Sequence, residues 1–245
     1  ARQRDFSSMR RTYSGGAPIP PAVVEDLRAR LGLTIRPVYG LTETSGPTNM
    51  APPDVDPPVH KETGALSVGK VVPGTQVRIL GQEGETADPG EVGEVLVRGP
   101  QVVPGYWERP EETASALPDG ELHTGDVGVI DEDGWLYLVD RSKDMIIASG
   151  FKVWPREVED VLYEHEAVRE AAVVGVPDEY RGETVWAYVS LKRGSSVEPE
   201  ELVAHCRARL AAYKYPRVVH ILDELPKTPS GKILRRELRT DEGPR

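Results

Sequence analysis

Glycine and proline cut this sequence into short pieces, with 24 glycines and 22 prolines among 245 residues. Glycine frees the backbone for left-handed turns, and proline removes an amide donor, so neither sits well inside a long regular element. The effect is strongest in the middle of the chain. There the β-prone runs 68–72, 75–80, 93–98 and 127–130 are parted by the turn signals Pro73-Gly74, Pro89-Gly90 and Asp119-Gly120. Short strands at that spacing predict a small antiparallel sheet or barrel.

The flanks read differently. Val23, Val24, Leu27 and Leu31 recur at helical spacing and Gly32 can end that helix, while 34–39 is β-rich and feeds Gly40. Residues 50–59 carry enough Pro and Asp to read as a loop. Asp133-Gly134 ahead of Trp135-Leu136-Tyr137-Leu138-Val139 predicts a hairpin strand. Beyond it the texture changes. The spacing predicts a helix over 155–163, with Pro155 in its first turn and Val158, Val161 and Leu162 on one face. Strands 171–176 and 185–191 follow, then a helix from Pro199 to about Leu210 with Leu202, Val203, Cys206 and Leu210 inward. A strand over 217–222 leads into the loop Pro226-Lys227-Thr228-Pro229-Ser230-Gly231-Lys232. Helices interleaved with strands predict a compact α+β domain, and the change of texture near 141–144 divides the chain into 1–142 and 143–245. The opening Ala1-Arg2-Gln3-Arg4-Asp5 shows no start of a fold, so the sequence reads as a piece of a longer protein.

Charge narrows the function. Forty acidic against 30 basic residues give a net charge of -10, the wrong sign for a surface that wraps nucleic acid. Cys206 is the one cysteine, so no intrachain disulfide can form, which fits a reducing cytoplasm. No run of eighteen apolar residues is present to span a membrane.

Four segments carry residue types suited to a nucleotide site, and each alone has an ordinary alternative. Tyr39-Gly40-Leu41-Thr42-Glu43-Thr44 offers an aromatic face for a base, a hydroxyl for phosphate and a carboxylate for Mg²⁺, or is a plain strand-to-loop turn. The glycines of Ser14-Gly15-Gly16-Ala17-Pro18 let backbone approach a flat ligand, or simply turn the chain. In His123-Thr124-Gly125-Asp126 with Asp140-Arg141, the carboxylate can accept both ribose hydroxyls and the arginine can reach the same sugar. Equally, Asp126 can be a turn residue and Arg141 a surface ion-pair partner, and His123 reads as structural. Lys232, in a loop rich in Pro, Ser and Gly, projects into a cleft or into water.

Taken in order, those four segments resemble the adenylate-forming superfamily once Pro104-Gly105-Tyr106-Trp107, Asp140-Arg141-Ser142-Lys143-Asp144, Ser149-Gly150-Phe151-Lys152-Val153 and Glu157-Val158-Glu159 are added. That superfamily includes acyl- and aryl-CoA synthetases, luciferases and the adenylation domains of peptide synthetases. The resemblance runs from about Ser14 to Leu238, and eight motifs in one order leave little room for chance. It implies the end of a large N-terminal domain, made of a strand-and-helix piece with a β-barrel-like subdomain, followed by a small mobile α+β lid. It implies that Gly16, Ala17, Pro18 and Tyr39 hold adenine, that Thr42 contacts the α-phosphate and that Glu43 binds Mg²⁺. Asp126 and Arg141 would hold the ribose, Lys143 would be the hinge and Lys232 the catalytic lysine of adenylation. Gly150 and Lys152 would line the pantetheine tunnel, with Lys152 meeting a phosphate of coenzyme A. The implied small molecules are ATP (becoming AMP), Mg²⁺, coenzyme A and a fatty or other carboxylic acid.

Two departures matter. The lysine-bearing, Thr/Ser/Gly-rich phosphate loop of the superfamily lies upstream of these residues, as does most of the acid pocket, so the chain alone is expected to be inactive. Ile147 stands where luciferases carry a second lysine, which argues against light emission. The expectation is therefore part of a fatty acyl-CoA synthetase. The alternatives are an aryl-CoA ligase of the coumarate type or a non-catalytic nucleotide-binding remnant.

Overall fold

The computed structural model describes residues 6–81 and 84–239, which leaves the opening 1–5 outside the described residues. The chain divides into two compact units, Ala1–Ser142 and Lys143–Arg245.

In the first unit, β1 (Thr12–Ser14) is followed by α1 (Pro21–Leu31), β2 (Ile35–Leu41), β3 (Gly46–Met50), β4 (Ser67–Val71), β5 (Gln76–Leu80) and β6 (Gly93–Arg98). A short helix, α2 (Pro110–Ala116), precedes β7 (Leu122–Ile130) and β8 (Leu136–Arg141). The eight strands form one sheet in the order β1-β2-β3-β4-β8-β7-β6-β5, antiparallel except for the parallel pair β1–β2. This sheet is strongly curled. Tyr39 on β2 is four strand steps from β7, about 19 Å in a flat sheet, yet its hydroxyl lies 2.8 Å from Asp126 on β7. The interior of the curl is apolar: Tyr39, Val68, Ile79, Val95, Val97, Leu122 and Leu136 pack as one cluster. The hairpin at Asp133-Gly134 forms as its sequence predicts. Asp131 locks it by accepting the Trp135 amide at 2.8 Å and the Tyr137 hydroxyl at 2.7 Å.

Helix α1 occupies the residues its apolar spacing predicts and closes on Gly32, whose amide donates to Arg28 O at 2.9 Å. None of its residues is buried among the described residues, and Leu31 is 41% exposed. Helix α2 had no sequence expectation, because Glu111, Glu112, Thr113 and Ser115 give it no apolar stripe to detect.

In the second unit, β9 (Ile146–Ala148), β10 (Phe151–Val153), α3 (Pro155–Tyr163), β11 (Val168–Asp178), β12 (Gly182–Leu191), α4 (Pro199–Arg207) and β13 (Val218–Ile221) build one sheet with helices. β11 and β12 are a long antiparallel hairpin. The other side of β12 pairs with β9 at Gly182↔Ala148 and, farther along, in parallel with β13. Alternation puts Val173, Val185, Ala187 and Val189 on the face that meets Val158 and Leu162 of α3 and Leu202 and Cys206 of α4. Ala172, Val174, Val176 and Tyr188 face the other way, against Leu225 and Leu238 of the C-terminal segment. Helix α4 stops at Arg207, short of the expected Leu210, where the chain tightens and the Arg209 amide donates three residues back to Cys206 O at 3.0 Å. Leu210 still packs on the same core.

Leu162 is fully buried between α3 and this sheet. Leu162→Ala is expected to lower stability by about 2–5 kcal/mol, since a large buried side chain leaves a cavity that the sheet cannot close. The check is urea unfolding, with a lower midpoint and an unchanged slope.

Candidate functional site

The first unit gathers its candidate residues at one end of the β1–β2 pair. The parallel register sets Ser14 beside Pro37, so both strands run out in the same direction. Gly15-Gly16-Ala17-Pro18 leaves β1 there, while β2 continues through Val38 to Tyr39. Gly15 packs so closely that a Cβ on it would lie 2.7 Å from Val38 Cγ2. Gly16, Ala17 and Pro18 are exposed. Ligands of open sheets favour such carboxyl ends of parallel strands.

The tightest cluster is built on Asp126. Asp126 and Arg141 stand directly opposite on β7 and β8, which aims both side chains at one face. Arg141 Nε donates to Asp126 Oδ1 at 2.9 Å, and the Tyr39 hydroxyl donates to Oδ2 at 2.8 Å. The Asp126 amide is held by Thr124 Oγ1 at 3.1 Å. Asp126 is 8% exposed, and burial lifts its carboxyl above the ordinary carboxylate value although Arg141 and Tyr39 oppose the shift. Burial, with the Asp126 charge beside it, also holds the Tyr39 phenol far above its ordinary value, so it remains a donor. Each carboxylate oxygen keeps a second lone pair for a ligand hydroxyl. His123 serves the scaffold: its Nδ1 meets Glu94 Oε2 at 3.2 Å, and the Gly125 amide donates to Glu94 Oε1 at 2.9 Å.

Thr42 and Glu43 lie in the 3-10 turn Thr42–Thr44 that ends β2. Buried Thr44 fastens the turn: its Oγ1 accepts the Leu41 amide at 2.9 Å and donates to Gly46 O at 2.7 Å. Thr42 is left exposed. Glu43 Oε1 accepts from the Tyr106 hydroxyl at 2.7 Å, and that bond raises the Tyr106 phenol above its ordinary value. No group of three or more His, Cys, Asp or Glu side chains that could cage a metal exists among the described residues. One carboxylate with a hydroxyl beside it instead suits a hard cation held chiefly by a ligand's phosphates.

In the second unit the candidates sit on two hairpins and a turn. Lys143 lies in the 3-10 turn Ser142–Asp144. Ser149 and Gly150 link β9 to β10 with φ of 54° and 81°, the two-residue turn whose twist matches a hairpin. The Ser149 amide donates to Arg181 O at 2.8 Å, pinning the tip, and Lys152 is exposed on β10. Lys232 sits on a different hairpin, closed by Thr228 N–H to Lys232 O at 2.8 Å and Lys232 N–H to Thr228 Oγ1 at 3.0 Å. Its side chain is exposed and forms no ion pair among the described residues. Ile233 and Leu238 root that segment on the sheet.

Sequence reasoning missed a third cluster in this unit. Glu159 of α3 is 9% exposed and takes the Val173 amide at 2.8 Å and Arg235 at 2.7 and 3.1 Å. Arg235 also reaches Asp144 at 3.2 Å, and Arg239 meets the same carboxylate at 2.9 Å. The signal was a glutamate beside Val158 on the apolar face of α3, where an acid needs a partner.

A pH test follows for Asp126. Its folded value lies above the usual 3.8, so the folded state binds the proton more tightly than the unfolded chain does. Stability therefore falls as pH rises from 3.8 through the folded value. Asp126→Asn is expected to lack that loss, seen as a shallower pH dependence than wild type in urea unfolding over that window.

The AMP-binding enzyme family matches residues 1–107, and the AMP-binding enzyme C-terminal domain matches 157–232. A long-chain-fatty-acid–CoA ligase of Bacillus subtilis is 47% identical over 97% of this chain, which covers 42% of that relative. A 2-succinylbenzoate–CoA ligase of a Geobacillus species is 43% identical over 92% of the chain and 44% of the relative. The crystal structure of ATP-bound MatB from Rhodopseudomonas palustris superposes with a TM-score of 0.85 at 34% identity, over 94% of this chain and 45% of that one. The chain thus spans less than half the length of the relatives it matches. With its mixed α+β fold and ordered motifs, the chain belongs to the adenylate-forming superfamily of AMP-binding enzymes.

Proposed function

We propose that this chain is the C-terminal portion of an AMP-forming acyl-CoA synthetase that activates a fatty acid with ATP and passes the acyl group to coenzyme A. The observation that carries the nucleotide reading is the buried Asp126, oriented by Arg141 and by Tyr39 of β2, with the exposed Gly-Gly-Ala-Pro loop leaving the paired strand β1. In this reading Asp126 and Arg141 hold the ribose, and Gly16, Ala17, Pro18 and Tyr39 hold adenine. Residues 1–142 supply the nucleotide segment of the N-terminal domain, and 143–245 form the lid.

The chemistry is a double displacement at one cleft. A carboxylate oxygen of the acid attacks the α-phosphorus of ATP, the bond to the β-phosphate breaks, and pyrophosphate leaves. The thiol sulfur of coenzyme A then attacks the acyl carbon, losing its proton as AMP departs. Attacking acid and α-phosphate are both anions, so the first step needs positive charge at the phosphorus. Lys232, an exposed ammonium on a closed hairpin, suits that role, and Thr42 would bond the α-phosphate. Glu43 would hold Mg²⁺, which when bound neutralises phosphate charge. Rotation about Lys143 would exchange the Lys232 hairpin for the Ser149-Gly150 hairpin, where exposed backbone and Lys152 suit the pantetheine arm and a phosphate of coenzyme A. The 2-succinylbenzoate ligase relative supports an aryl-acid ligase as the second reading.

Two outcomes test this. The purified 245-residue chain is expected to show no ATP–pyrophosphate exchange, because the superfamily's phosphate loop, which would cradle the departing pyrophosphate, lies upstream of the motifs matched here. In the complete ligase, Lys232→Ala is expected to slow adenylation by about 10²-fold or more while sparing thioester formation from supplied acyl-adenylate. Single-turnover assays of each half-reaction separate these, and equal losses in both would assign Lys232 a structural role. An acyl-substrate screen of the complete ligase distinguishes fatty from aryl acids.

A further inference from the structure

The Pro104-Gly105-Tyr106-Trp107 motif has no task in the scheme above, yet with Val103 before it, it holds both the backbone and the side chain of Glu43. The Val103 amide donates to Glu43 O at 2.8 Å, and the Tyr106 hydroxyl donates to Glu43 Oε1 at 2.7 Å. Tyr106 is itself anchored. Its amide donates to Thr113 Oγ1 at 2.9 Å, and that hydroxyl donates to Arg109 O at 2.7 Å at the start of α2. A rigid chain of bonds therefore runs from α2 through Tyr106 to a carboxylate 63 positions earlier.

The terminal torsion of a glutamate is broad and nearly two-fold, so a half-exposed carboxylate swings unless something fixes it. A phenol bound to Oε1 restrains that torsion, and Oε2 is the oxygen outside this bond. Resting on the nucleotide reading, we infer that Tyr106 is a positioning residue for Glu43, holding its carboxylate in the one orientation that serves a phosphate-bound divalent cation. Thr113 supports it from α2. The inference explains why an aromatic with a hydroxyl stands 38% exposed in this loop, where burial gives it little to do.

The test is made on the complete ligase without acid substrate, so that no turnover occurs. Calorimetry gives the affinity for ATP with Mg²⁺ and for ATP with EDTA, and their ratio is the contribution of the metal. Tyr106→Phe is expected to shrink that ratio roughly tenfold, the scale of one hydrogen bond to a charged group, while the metal-free affinity is unchanged. Adding Tyr106→Phe to Glu43→Gln should change nothing further, because the phenol acts through that carboxylate. Three results would overturn the inference: a ratio within about twofold of wild type, equal falls in both affinities, or a Tyr106→Phe effect that persists in Glu43→Gln. An unchanged ratio in Glu43→Gln alone overturns it too. Should Tyr106→Phe fail to fold, Thr113→Ala frees the Tyr106 backbone and is held to the same ratio. A complete ligase that forms no acyl-CoA defeats the proposed function. Acyl-CoA formation with an unaltered ratio defeats only the role of Tyr106.

Discussion

Each unit is organised around a carboxylate taken out of water. An ionised acid inside a protein needs donors for its lone pairs, and a missing donor leaves an uncompensated charge. Asp126, 8% exposed, meets this demand with Arg141 from the facing strand and Tyr39 from four strands away. Glu159, 9% exposed, meets it with the Val173 amide and the Arg235 guanidinium. In both cases one donor arrives from a distant segment, so the acid selects one tertiary arrangement among those the apolar residues would allow.

The consequence for the first unit is a curled sheet. A flat one would leave the Tyr39 hydroxyl far from β7, and the Asp126 oxygen it serves would lose a donor. In the second unit, Arg235 joins Glu159 on α3 to Asp144, the last residue of the Ser142–Asp144 turn. Arg235 lies three residues beyond Lys232, so a buried acid on a helix helps fix the root of the Lys232 hairpin. Scaffold and candidate chemistry share the same ion pairs.

Much of this was readable from local pattern. Val158 and Leu162 at helical spacing behind Pro155 announce α3, and Asp133-Gly134 before a β-rich run announces the β7–β8 hairpin, because in each case neighbours in sequence make the contacts. Helix α2 was silent, since a seven-residue element of Pro, Glu, Thr, Ser and Ala with none of its residues buried carries no apolar period. The stop of α4 at Arg207 was silent as well, because Leu210 satisfies the core from a turn as readily as from a helix.

By itself, then, the sequence determined the short strands, the placement of turns at glycine and proline, the apolar faces of the helices and the order of the adenylate-forming motifs. These are local properties, written in periods of two and 3.6 residues and in backbone freedom. Only the tertiary structure decided who meets whom: Tyr39 with Asp126, Tyr106 with Glu43, Glu159 with Arg235. Those partners are 87, 63 and 76 residues apart. No local pattern encodes such distances, because a hydrogen bond is specific only once the sheet has brought its donor and acceptor within 3 Å of each other.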